Sequence, residues 1–174
     1  MGAANVFSLG RVTATWNSQA LGITEECKAT FEKITHLVQC EAFAAPVDAI
    51  DGGWKVSVEL MLLERDYAVL DALDGITKVV GTATTGTKVT FGGEAGTAAT
   101  QGLLTLVSTV TARATTHDLT IHKAVLDNCS PVTQWKPDEP CQKGFILKFT
   151  GIIDSTRTTG DYLASIGVNA ASVA

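Results

Sequence analysis

Apolar and polar side chains alternate along two long segments of this chain, which is the pattern of a β-strand with one buried face. The clearest alternation runs from 54 to 60. Its apolar side holds Trp54, Val56, Val58 and Leu60. We predict a strand here, with these four side chains facing a core.

The segment from 23 to 38 also alternates, but its apolar residues change parity partway along. They lie first at odd positions, as Cys27, Ala29 and Phe31, and from Ile34 at even positions. Because successive side chains of a strand point to opposite faces, this change predicts a β-bulge or a crossing between sheets near Lys33.

A single short helix is predicted from roughly 66 to 74. Asp66 is a suitable N-cap, Tyr67, Leu70 and Leu73 recur at helical spacing, and Gly75 provides a C-terminal stop. Further strands are predicted at 10–16, 88–91, 103–113, 119–126 and 145–153, with loops at 41–53 and 92–102. The chain is therefore expected to form one mainly β domain over 1–174, a sandwich or barrel with one helix and flexible N- and C-terminal arms.

The low fraction of charged residues indicates that the protein assembles with other subunits. Of the 174 residues, 45% are hydrophobic and only 18% are charged, whereas about a quarter are charged in a typical soluble domain. Part of the surface is therefore expected to be covered by other subunits. The net charge of −5 argues against a protein that grips nucleic acid, because such binding relies on Lys and Arg neutralising phosphates.

The four cysteines leave two interpretations open. Cys129 and Cys141 bracket a proline-rich loop, and a disulfide between them would contribute about 3 kcal/mol in the chain-entropy model. Alternatively, these two residues together with Cys27 and Cys40 are reduced and act as small apolar side chains.

No motif predicts a catalytic, cofactor-binding or metal-binding site. His117 and His122 are separated by an odd number of positions, so on one strand they face opposite ways and do not close on one metal. The segment 81–88 resembles a phosphate loop, but Thr87 and Lys88 are transposed relative to that motif.

Met1–Val12 lacks a secretory signal and no stretch is apolar enough to span a membrane, so we expect synthesis in the cytoplasm.

The order of these parts resembles a phage major tail tube protein. The resemblance rests on Gly22-Ile23-Thr24-Glu25 opening a long strand, the Pro46-Val47-Asp48 loop, the strand 53–60 and the small helix that follows. It covers about the first two thirds of the chain, and it lies in alternation and turn placement rather than in a unique signature.

The resemblance implies a structural virion protein whose sheet closes across subunits, in hexameric rings stacked into a tube that conducts DNA into the host. The related tube of type VI secretion systems has the same architecture. With four strands from each of six subunits, a strand spacing of about 4.8 Å gives a circumference of about 115 Å and a diameter of about 37 Å. Its partners would be other tail proteins: the tape measure, the terminator, and the baseplate or tip. The resemblance does not decide whether a sheath protein is also a partner.

The resemblance also directs attention to the polar sides of the two long strands as the wall of the lumen. The candidates are Glu26, Lys28, Thr30, Glu32, Lys55, Ser57 and Glu59. A weakly acidic wall rich in Ser and Thr would let DNA pass without specific binding. The loops 41–53 and 92–102 and the termini are expected to join stacked rings.

Two other classes of function stay open. The first is a monomeric β-sandwich that binds carbohydrate through exposed tryptophans among Trp16, Trp54 and Trp135, although Trp54 is expected in the core. The second is an enzyme, which we rank last because it requires a pocket converging on His117, Asp118 or the glutamates. We therefore predict that the protein is not an enzyme.

Overall fold

The computed structural model describes residues 4–39, 46, 48–62, 67–71, 73, 76–79, 88–92, 96, 98–109, 118–131, 144–157 and 161–167. Within these ranges the chain forms ten strands and one helix. In chain order they are β1 (Ala4–Ser8), β2 (Val12–Trp16), β3 (Gln19–Val38), β4 (Asp48–Leu62), α1 (Tyr67–Asp71), β5 (Ile76–Val79), β6 (Lys88–Phe91), β7 (Gln101–Ser108), β8 (Leu119–Pro131), β9 (Phe145–Gly151) and β10 (Ala164–Ile166).

Six of the strands close into an antiparallel barrel. The order around the ring is β3, β2, β7, β8, β9 and β4, and β4 pairs with β3 again. Two shorter strands extend the wall, since β1 pairs with β3 and β10 pairs with β8. A separate hairpin of β5 and β6 lies beside α1. The fold is therefore mainly β and barrel-like, as predicted.

Alternation along each strand fills the barrel interior. Trp16 of β2 is 2% exposed and packs at a tilt on Phe149 of β9, with ring centroids 5.6 Å apart. The Trp16 indole N–H donates to the carbonyl of Ala124 at 3.4 Å. Each fully buried large apolar side chain contributes about 1.5–3 kcal/mol to stability. The largest of these, besides the aromatic pair, are Leu60, Leu70, Leu104, Leu106, Leu119, Ile121 and Leu147.

The predicted elements agree with the structure in part. The strand at 88–91 is confirmed, and so is the helix, whose described part is Tyr67–Asp71. The predicted cap Asp66 and stop Gly75 lie outside the described residues. The strand predicted at 103–113 is β7, which spans Gln101–Ser108. The sequence did not predict β1, β5 or β10, which have three to five residues each. Within the described ranges, no helix is long and apolar enough to cross a membrane.

A bulge lies next to Lys33, as predicted, but the inserted residue belongs to β4 and β3 keeps its alternation there. Ile34 pairs with Gly53 and Thr35 pairs with Asp51, so Gly52 is the extra residue of a bulge. The loop prediction for 48–53 is therefore wrong, because these residues are strand. Residues 41–45 and 47 of that loop, 93–95 and 97 of the second loop, and the ends at 1–3 and 168–174 lie outside the described residues.

Candidate functional site

The seven predicted lumen residues lie together on the outer side of the β3–β4 pair, a surface that we call the polar face. The backbone register aligns them as opposite pairs: Lys28 with Glu59, Thr30 with Ser57, and Glu32 with Lys55, next to Glu26. Directly opposite residues of a sheet project to the same side. The intervening residues of both strands face the core, so the sequence pattern correctly grouped these seven side chains.

The polar face continues onto the strands on either side. On β9, Lys148 lies opposite Glu59, and on β1, the half-exposed Val6 lies opposite Thr30. Four neighbouring strands, β1, β3, β4 and β9, therefore share one outer surface.

The sequence prediction missed Lys148, although a signal for it was present. Leu147 and Phe149 are fully buried, and the residue between two core residues of a strand must face outward. What the sequence lacked was the pairing of β9 with β4, which joins Lys148 to this surface.

Charges of both signs alternate across the polar face. Lys28, Glu59 and Lys148 form one row over three strands, and Glu32 lies opposite Lys55. Three lysines therefore offset three glutamates on this surface, Glu26 being the third. Opposite charges in cross-strand pairs contribute about 0.2–1 kcal/mol each. A shallow depression of about 160 Å³ opens here between Glu26, Lys28, Glu59, Met61 and Ile146.

A second surface, which we call the arm, consists of residues 33–38 of β3 and 48–54 of β4. The six register pairs from Lys33–Trp54 to Val38–Asp48 give it a length of about 20 Å. Among the residues that the structure describes, β1 pairs with 28–32 and β9 with 57–61, and neither pairs with the arm. In the described part of the chain the arm is thus a two-stranded ribbon with both outer edges unpaired.

Large apolar side chains are exposed on both sides of the arm. Leu37 is 55% exposed and Trp54 is 50% exposed on the side that continues the core face. Ile50 is 58% exposed on the opposite side, with Ile34 and Val38. An isolated two-stranded hairpin is marginally stable in water, so this ribbon gains most from being covered by another surface.

Asp51 makes two local contacts at the bulge of the arm. Lys33 Nζ lies 3.0 Å from Asp51 Oδ2, and the Gly53 N–H donates to Asp51 Oδ1 at 2.8 Å. The Gly53 N–H, followed by Lys33, lowers the pKa of the Asp51 carboxyl below its usual value. Gly53 has a φ of 90°, a backbone conformation that favours glycine.

The two described tryptophans do not form the platform that a carbohydrate site would need. Trp16 is in the core, and Trp135 lies outside the described residues. The prediction that Trp54 is buried is wrong, because the strands that cover Val56 and Val58 do not extend to the arm.

The two described histidines lie on different strands. His36 is on the arm, His122 is buried on β8, and His117 lies outside the described residues. Asp118 is buried and its carboxylate accepts the Ser108 N–H at 3.0 Å. Among the described residues, no three His, Cys, Asp or Glu side chains are grouped to hold a metal ion.

Two of the four cysteines are described, and both are free thiols. Burial, followed by the charge of Glu26, raises the pKa of Cys27 to about 12. Burial raises the pKa of Cys129 to about 11. Both thiols are therefore protonated at neutral pH and react slowly. Cys40 and Cys141 lie outside the described residues. Cys129 is unpaired in this structure, and a disulfide with Cys141 under oxidising conditions stays a prediction.

No protein-family model matches this chain, and no curated protein matches it.

Proposed function

We propose that the protein is the structural subunit of a phage tail tube, in which hexameric rings stack into a hollow conduit for DNA. The observation that carries this proposal is the arm, a ribbon with exposed apolar side chains on both sides and with edges that no other described strand pairs. The fold class and the polar face support it.

The arm supports assembly from copies of the same chain. A projecting segment that docks on a different part of the next copy makes a head-to-tail contact, and such contacts generate rings when the rotation closes. Unpaired strand edges otherwise invite irregular aggregation. In a ring, the arm of each subunit is covered by its neighbour, which removes both the open edges and the exposed Leu37, Ile50 and Trp54 from water.

The polar face has the properties of a wall along which DNA moves. It spans four adjacent strands, the number that gives a tube about 37 Å wide with six subunits. Its lysines and glutamates alternate, so it offers no continuous positive surface to hold the phosphates of DNA, which carry one charge per about 1.7 Å of duplex.

In this function the protein belongs to the virion and assembles in the host cytoplasm. Its partners are further copies of itself and the tape-measure, terminator, and baseplate or tip proteins. The segments 41–47 and 92–100 and the chain ends connect stacked rings. We propose no cofactor and no enzymatic activity.

One observation favours the alternative of a monomeric carbohydrate-binding module, namely the exposure of Trp54. Aromatic rings at a protein surface can stack on apolar faces of ligands. A binding module predicts that purified monomers retain a glycan and that Trp54→Ala abolishes retention. The tube predicts no glycan binding and instead a loss of assembly.

Thiol labelling tests where the polar face lies in an assembled particle. Ser57→Cys places a thiol on that face, and Thr13→Cys places one on the exposed side of β2 as a matched control. A bulky maleimide should label both variants when they are dispersed, but only Thr13→Cys after assembly. Parallel labelling of the unsubstituted protein measures the native cysteines. Equal labelling of Ser57→Cys in the dispersed and assembled states would show that the polar face does not line the lumen.

DNA delivery tests the function itself. In the intact phage, reversing the charges at Glu32 and Glu59 to lysine adds four positive charges to each subunit's face and should slow DNA ejection, since the wall would then hold phosphates. The exchange of Thr13 for lysine is the control. Ejection at an unchanged rate would contradict the proposed role of the polar face.

A further inference from the structure

Two strands, β9 and β10, pair one after the other with the same edge of β8, the edge opposite β7. Between its pairings with β9 and β10, β8 advances three residues, from Ala124 to Ile121, while the opposing chain advances thirteen, from Gly151 to Ala164. Both β9 and β10 run antiparallel to β8 along this edge. The chain therefore leaves β8 after Gly151, makes an excursion, and returns to the same edge as β10.

Backbone hydrogen bonds close the excursion at its base. The Ile152 N–H donates to the Lys123 carbonyl at 2.7 Å, and the His122 N–H donates to the Leu163 carbonyl at 3.2 Å. Farther out, the Asp154 N–H donates to the Tyr162 carbonyl at 2.8 Å. The two ends of the excursion are thus held side by side against β8, as in a compact surface loop.

One cluster of side chains joins the excursion to β8. The side chain of His122 is 2% exposed, and its Nε2 lies 2.8 Å from Asp161 Oδ1. The other carboxylate oxygen of Asp161 accepts two hydrogen bonds from Arg157, from Nε at 3.0 Å and from Nη2 at 2.6 Å. Because an ionised carboxylate only accepts, Nε2 of His122 carries the proton in this contact.

The contact with Asp161 is the one side-chain hydrogen bond of the His122 imidazole among the described residues. Its Nδ1 is buried and has no hydrogen-bond partner among the described residues. Removing Asp161 would leave a buried imidazole with neither nitrogen paired, and an unpaired buried polar group opposes burial. Arg157, followed by His122, also lowers the pKa of Asp161, so that carboxylate is ionised at neutral pH.

We propose that Arg157, Asp161 and His122 form a latch that keeps β10 on the edge of β8. With the latch closed, β10 and the excursion fill this edge at 119–123. With the latch open, β10 can leave while the six-stranded barrel stays intact, since the ring of β3, β2, β7, β8, β9 and β4 does not include β10. Backbone N–H and carbonyl groups of β8 at the freed edge are then unpaired.

Hydrogen exchange on the dispersed protein tests the latch without reference to any tube. The reporters are the amides of His122 and Gly167, which donate to Leu163 and to Asp118 across the latch. Amides of Val58 and Leu147 in the barrel serve as references. Asp161→Ala should accelerate exchange at the reporters by roughly ten- to hundredfold and leave the references unchanged.

Two further variants sharpen the result. Asp161→Asn keeps an oxygen that accepts from His122 but loses the charge that Arg157 binds, so its reporters should exchange at an intermediate rate. It also provides the test if Asp161→Ala does not fold. Asp127→Ala removes an exposed carboxylate from β8 itself and should leave the reporters unchanged. The latch is refuted if the reporters do not respond to either Asp161 variant, or if the reference amides accelerate by the same factor.

Discussion

The same two strands behave differently in two parts of their length. From Glu26 to Glu32 on β3 and from Lys55 to Met61 on β4, one side lies in the core and the other forms the polar face. Beyond Lys33 and Trp54 the pairing continues as the arm, but large apolar residues are exposed on both sides. The difference arises outside the pair, because the described residues of β1 and β9 accompany only the first part.

The comparison separates two properties that alternation alone does not distinguish. Alternation of polar and apolar residues favours a strand wherever it occurs. Burial of the apolar side requires a further layer, which the barrel supplies and the arm lacks. The arm carries large apolar residues, as a protein core does, but the barrel does not cover them. For this reason we propose the arm as the part of the molecule that contacts another copy.

The largest expected difference is in the free energy of unfolding. It comes from truncating one apolar side chain in the barrel and one in the arm. Leu60→Ala, in the barrel, should lower the free energy of unfolding by about 2–5 kcal/mol, because it leaves a cavity. Ile50→Ala, in the arm, should change it by no more than about 0.5 kcal/mol, since Ile50 is exposed. Urea unfolding of the dispersed protein measures both. Similar losses would mean that the arm is packed in the monomer.

A smaller contrast uses two glycines. A methyl group at Gly151 would collide with Val56 Cγ1 inside the barrel, so Gly151→Ala should cost about 1–3 kcal/mol through overpacking. At Gly52 the added carbon would lie 2.7 Å from Ile34 Cγ2, but Ile34 is partly exposed and can turn away. Gly52→Ala should therefore cost less. Gly92→Ala, which meets open space, is the control. A greater loss at Gly52 would show that the bulge is rigid.

Charge reversal on the polar face should have a weaker effect that depends on salt. Glu59→Lys places three lysines in one row with Lys28 and Lys148, and like charges in cross-strand positions cost up to about 1 kcal/mol. Added salt should recover most of this loss, since the groups are exposed. Glu59→Gln removes the attraction without adding repulsion and should lose less. A loss that does not change with salt would indicate a packing defect instead.

The smallest effect is the response of the arm to acid. The pKa of Asp51 is lowered in the folded protein, so its contribution is complete above the ordinary carboxyl range and is lost as the pH falls through the lowered value. Acidification should therefore loosen the Gly53 amide, measured by NMR hydrogen exchange, while barrel amides stay protected. Lys33→Met should shift this transition to higher pH. An unchanged transition would leave Lys33 without a role in it.

Much of the β3–β4 pair could be predicted from the sequence because its information is local. The polar face follows from strict alternation. The change of parity after Phe31 marks where apolar residues appear on the outer side of β3, but it does not place the inserted residue, which is Gly52 of β4. The exposure of Trp54 could not be predicted, since it depends on where β9 ends. Likewise, the contact of His122 with Asp161 joins residues 39 positions apart, and only the return of the chain to β8 brings them together.

Electron microscopy of the purified protein over a concentration series tests the central claim most directly, namely that the arm drives assembly into hollow rings. The unsubstituted protein should form rings or tubes with and without reductant if the cysteines do not link subunits. A variant with Leu37, Ile50 and Trp54 changed to serine should fold, as judged by circular dichroism, and remain dispersed. Assembly of this variant at the same concentration as the unsubstituted protein, or dispersed unsubstituted protein at every concentration, would contradict the claim.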